Sequence, residues 1–130
     1  LAAAMAKARV EAADPAAAMM AMGRCYVSFA LAEPGLFRVM FGEAGMHARD
    51  PRMRPPGLEI SAWEHLEGGL ADWAAAQGLE IDHAHAAHQL WAAVHGVSRL
   101  FVDGAVRDPV APMALCEALC EAVMGRLERG

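Results

Sequence analysis

Apolar residues in this chain recur at three- and four-residue steps over long stretches, and that spacing admits helices and little else. Met19, Met22, Tyr26, Phe29 and Ala30 form one such stripe; Trp63, Leu66, Leu70, Trp73 and Gln77 form another. A helix turns once every ~3.6 residues, which puts these positions on one face, whereas a half-buried strand alternates at every second residue. The residue types agree. Alanine, the strongest helix former, fills 30 of 130 positions, while Val, Ile and Thr, on which strands draw, number 9, 2 and none. An all-α fold follows.

Helix boundaries are marked by residues that satisfy or interrupt backbone groups. Residues 1–13 read as the tail of a helix. Asp14-Pro15 starts the next, because Asp accepts from the free N–H groups of a first turn and Pro is tolerated where no donor is needed. That helix spans about 15–32. Pro34 ends it and opens a short helix, 35–41, closed by Gly42. Residues 43–57 form a loop rich in Gly, Pro and Arg, and a long helix over 58–77 stops at Gly78. Asp82 caps a helix over 83–103, which ends at Asp103-Gly104. Arg107-Asp108-Pro109 leads through Pro112 to a last helix over 113–128. These are five helices and an entering tail in one domain, 1–130. The chain opens at Leu1 inside what reads as helix interior, so a longer protein with a segment upstream is expected.

Charge and composition exclude several classes. The net charge is −5, and the basic cluster Arg49, Arg52 and Arg54 in the Pro-rich loop is a poor surface for phosphates. Charges and histidines interrupt every apolar run before it could span a bilayer. Residues 1–13 carry Lys7, Arg9 and Glu11, unlike a signal peptide. Three cysteines, an odd number, do not form a disulfide framework, and a cytoplasmic location is the expectation. Ten Arg against one Lys, with abundant Ala, point to a GC-rich bacterial source.

Few residues carry chemistry. His85, His88 and His95 fall near one helix face, and zinc takes His or Cys ligands. No H-E-x-x-H is present, and positive charge on His83 and His85 would oppose the helix dipole. A polar helix start with one hydrogen-bonded core His is the expectation, and no metal or cofactor is assigned. Cys116 and Cys120 sit one turn apart, a spacing that suits neither a redox motif nor a disulfide. Ser28, Ser61 and Ser98 lie in no nucleophile elbow, and Gly68-Gly69 falls inside a helix rather than after a strand. No enzyme is read here. The soft apolar residues, nine Met, three Trp, four Phe and one Tyr, suit a core or an apolar cavity between helices.

One stretch is unusual for a packing helix: Leu90 to Leu100, which sets Trp91, His95 and Gly96 within six residues. Trp91…His95-Gly96 resembles the W-x-x-x-H-G motif of one subclass of tetracycline-repressor-like (TetR-family) regulators. Tyr26 to Phe41 is similar to the Y-x-x-F-A-x-x-x-P-x-L-F-x-x-M-F segment of the C-terminal domains of that family. The resemblance covers essentially the whole chain. It implies an all-helical effector-binding and dimerisation domain. An N-terminal helix-turn-helix, not present in this sequence, would bind operator DNA. It further implies a homodimer through the last two long helices, with Cys116, Leu119, Cys120, Val123 and Leu127 facing the partner and Gly96 allowing close helix approach. A small hydrophobic effector would sit among the remaining helices, against Met22, Tyr26, Phe29, Met40, Trp63, Leu66, Trp91 and His95. Ligand binding would shift the spacing of the DNA-reading heads, with residues 1–13 as the lever. Two other readings compete: a helical protein–protein interaction module without a small-molecule ligand, and a metal-dependent enzyme or sensor built on His85, His88, His95 and the cysteines.

Overall fold

Each helix begins and ends where its own sequence satisfies the end groups. The computed structural model describes residues 1–41, 61–106 and 110–130. Within them lie α1 (Ala2–Glu11), α2 (Pro15–Ala32), α3 (Pro34–Phe41), α4 (Ala62–Gln77), α5 (His83–Val102) and α6 (Pro112–Arg129), and no strand. Asp14 Oδ1 accepts from the Ala17 N–H at 2.7 Å, and Asp82 Oδ1 accepts from the His85 N–H at 3.1 Å. Gly78 adopts φ +67°, the left-handed conformation that lets Leu79 N–H reach back to Ala74 O at 2.9 Å.

Boundaries depart from expectation in identifiable ways. The helix expected over 58–77 begins at Ala62, because Ser61 is extended and its Oγ accepts from the Glu64 N–H at 3.2 Å. Residues 58–60 lie outside the described residues, as do Gly42, the 43–57 loop with Arg49, Arg52 and Arg54, and Arg107-Asp108-Pro109. The tail expected over 1–13 leaves the helix at Ala12, which is extended. Helix α6 starts one residue earlier than expected because Pro112 occupies a first-turn position.

Helix α2 is the centre of the bundle and packs against all five others. Its two sides build two buried clusters. One joins Met19 and Met22 to Met5 of α1, Leu66, Leu70 and Trp73 of α4, and Leu90 of α5. The other joins Tyr26, Val27 and Ala30 to Phe37 of α3, Val94 and Val97 of α5, and Cys116 and Cys120 of α6. Three glycines permit the close approaches. A Cβ on Gly23 would lie 3.4 Å from Cys120 Sγ and 3.6 Å from Cys116 Sγ, so α6 rests on nearly bare α2 backbone. On α4, the guanidinium of Arg9 occupies the side-chain space of Gly68, and the Met22 methyl occupies that of Gly69. Arg9 also pairs with Asp72 at 2.9 Å, which fastens α1 to α4.

Candidate functional site

Residues of five helices line a small apolar cavity that is partly open to solvent. Its wall is Met5 of α1; Met19, Met22, Gly23 and Tyr26 of α2; Leu66 of α4; Leu90, Trp91 and Val94 of α5; and Cys120 of α6. Among the described residues, no charged side chain contributes to it. The free space amounts to about 20 Å³, and three of the wall residues are methionines.

Two wall residues, Tyr26 and Trp91, also belong to an aromatic cluster that runs from the cavity towards α3. Trp91 and His95 lie one turn apart on α5, so their rings stack, 9° from parallel with centroids 6.1 Å apart. Trp91 meets Tyr26 edge-on at 5.1 Å. The Tyr26 hydroxyl is hydrogen-bonded to His95 Nδ1 at 2.8 Å, which ties α2 to α5. Phe37 and Phe41, one turn apart on α3, each touch Tyr26, at 6.0 and 5.2 Å, and His95, at 5.5 and 6.4 Å. Helix α3 has only eight residues, and these two rings plant it on the bundle. Between them Arg38 ties α3 to the end of α5, donating to Val102 O at 3.0 Å. Trp63 extends the cluster, meeting Trp91 at 5.4 Å and His88 at 4.9 Å.

Of the eight residues expected against a ligand, Met22, Tyr26, Leu66 and Trp91 line this cavity. Trp63 and His95 stand behind it in the aromatic cluster. Phe29 is half-buried in a separate surface groove between α1 and α2. Met40 is exposed, because Phe37 and Phe41 take the inward side of α3. Met5, Met19, Leu90 and Val94 were not anticipated. Met19 shares the stripe of Met22 and Tyr26, so its spacing was a usable signal. Met5, Leu90 and Val94 carry none that separates a cavity wall from ordinary core.

The outer faces of α5 and α6 also differ from expectation. Cys116 and Cys120 are 1% and 4% exposed and face Gly23 inside the protomer. Val123 and Leu127 are half-buried against the first cluster, and Leu119 is exposed. Gly96 has no close neighbour: a Cβ there meets nothing within 4 Å among the described residues. Ala92 and Leu100, one turn to either side of it, are exposed.

Two histidines of the α5 start have ordinary local partners. His85 Nδ1 bonds the Gln89 side chain at 3.0 Å, and His88 Nδ1 bonds Ala84 O at 2.6 Å. Among the described residues, no three His, Cys, Asp or Glu side chains converge as a metal site. Cys120 donates to Cys116 and lies buried, and both effects hold its thiol well above the usual range. The same hydrogen bond lowers Cys116. Burial raises Cys25, which donates to Ala4 O at 3.8 Å. Cys25 and Cys120 are therefore poor nucleophiles. No described helix is long and apolar enough to cross a membrane.

A family model described as "Tetracyclin repressor-like, C-terminal domain" matches residues 19–123. No curated protein and no solved structure matched the chain.

Proposed function

Because the chain belongs to the tetracyclin repressor-like C-terminal domain family, we propose that it is the effector-binding and dimerisation domain of a cytoplasmic transcriptional regulator. One domain, 1–130, takes a small hydrophobic effector and forms a homodimer. Operator DNA is contacted only through a helix-turn-helix segment upstream. The domain catalyses no reaction. The observation that carries this reading is the apolar cavity lined by five helices, which shares Tyr26 and Trp91 with the aromatic cluster built from both motifs.

The cavity wall includes Met5, so an occupant that shifts Met5 also pushes on α1. The Arg9–Asp72 pair holds α1 against α4 in the present arrangement. An effector that favours a different seating of α1 moves the population only by its difference in affinity for the two seatings. Dimerisation is assigned to the outer faces of α5 and α6, around Ala92, Gly96, Leu100 and Leu119. There the backbone of Gly96 is open to a neighbour.

Thermal-shift screening of apolar compounds tests the reading. A ligand at a hundred times its Kd stabilises its target by about 2.7 kcal/mol, a rise of several degrees. Trp91→Ala should abolish that rise. Light scattering with size exclusion should give twice the 13.8 kDa of one chain. A monomer with no thermal response to any compound would sink the proposal and favour an interaction module.

A further inference from the structure

The cavity is too small for an effector as it stands. Its free space is about 20 Å³, whereas an engineered apolar cavity that admits benzene measures about 150 Å³. Three of its wall residues, Met5, Met19 and Met22, are methionines, whose unbranched side chains re-pack at little cost. Of these, Met22 has the more specific placement. Its methyl rests in the space that a side chain on Gly69 would fill, with Met19 Sδ 3.1 Å from that same point. The bare backbone of α4 is therefore a recess that stores the Met22 tip. Any side chain at Gly69 displaces the tip, and Met22 is itself part of the cavity wall.

We propose that Gly69 and Met22 together set the size of the effector site, and that its occupant is a compact uncharged apolar molecule of about one ring that enters by displacing methionine tips. The occupant carries no charge because no charged side chain among the described residues lines the wall, and the Tyr26 hydroxyl is already engaged by His95. This inference rests on the reading of the cavity as the effector site.

Benzene, titrated into the whole chain with ¹³C-labelled methionine methyls, tests it directly. Saturable shifts of the Met5, Met19 and Met22 methyl signals are expected. Gly69→Ala should weaken benzene binding at least about tenfold, and Met22→Ala should tighten it by a similar factor. In the double variant the collision with Met22 is gone and only the Met19 sulfur, 3.1 Å away, has to give slightly, so binding should return to the wild-type value or better. Thermal melts of each variant establish that it is folded. Should Gly69→Ala not fold, Met22→Ala decides alone: unchanged affinity overturns the proposal. Wild-type affinity in Gly69→Ala, or a double variant as weak as Gly69→Ala, overturns it as well. A larger compound that stabilises the dimer and leaves the three methyl signals in place also overturns it, while the regulator reading stands. Benzene in the cavity of a chain that stays monomeric supports it and counts against the dimer.

Discussion

Gly96→Ala separates the stability of one protomer from the association of two. Gly96 lies well inside α5, where glycine costs a helix about 0.8–1 kcal/mol relative to alanine. A methyl group there meets nothing within 4 Å, so no steric term offsets the gain. The isolated protomer should gain about 1 kcal/mol, raising its melting temperature by roughly 4 °C. In the proposed dimer the same methyl group intrudes where a partner helix seats. Overpacking costs about 1–3 kcal/mol per site, and a two-fold interface presents the residue twice. Taking about 1.5 kcal/mol per site gives about 3 kcal/mol, a dimer Kd weaker by about a hundredfold. Sedimentation equilibrium over a dilution series reads the second effect. Urea unfolding at the lowest concentration, where dissociation no longer contributes, reads the first. A variant that is stabilised yet dimerises with wild-type affinity would refute the assignment of this face. A variant that is destabilised when fully dissociated would refute the claim that Gly96 borders open space.

Three further outcomes are expected. Tyr26→Phe removes the hydroxyl from His95 Nδ1 and should cost about 0.5–1.5 kcal/mol in urea unfolding, with His95 ring nitrogen shifts moving in NMR spectra; unchanged shifts would mean the bond is not formed in solution. Asp72→Ala breaks a pair whose carboxylate is more than half exposed, so it should cost under about 1 kcal/mol, and the loss should shrink in high salt; a salt-independent loss would contradict a solvated pair. Cys25 is raised above its ordinary 9.0 by burial, so its contribution to stability is full at neutral pH and is lost as pH climbs past 9.0 through the folded value. Thiol labelling should accordingly reach Cys25 first, more slowly than a free thiol, and reach buried Cys116 and Cys120 only as the bundle opens; fast native labelling of all three would contradict the burial.

Helices were legible in the sequence because their signals are local. Asp14, Asp82 and Gly78 act on backbone groups within four residues, so no neighbour is needed to read them. The site was half legible. Met22, Tyr26, Leu66 and Trp91 fall on inward stripes and do line the cavity. The cysteine stripe of α6 shows the limit. Periodicity establishes that Cys116 and Cys120 share a face, but the helix that covers that face is α2, which presents Gly23 some ninety residues away. Gly96 shows the same ambiguity in reverse, since an absent side chain can mark either a close neighbour or an open surface. Phe37 and Phe41 were quoted within a motif but were not placed at the site. Their role depends on α3 folding back onto Tyr26 and His95, a contact that no spacing within eight residues reveals.

The central position of α2 has a bearing on how the chain is made. Its Gly23 face is covered by α5 and α6, which are synthesised well after it. Until α6 emerges, the Tyr26 to Ala30 side of α2 has no complete lining, so the bundle cannot finish folding on a shorter nascent chain. Contacts between α2 and α6 span most of the sequence and slow the final step relative to a bundle whose neighbours are consecutive. Premature stops before Pro112 should therefore yield aggregation-prone fragments cleared by proteases, not smaller working domains.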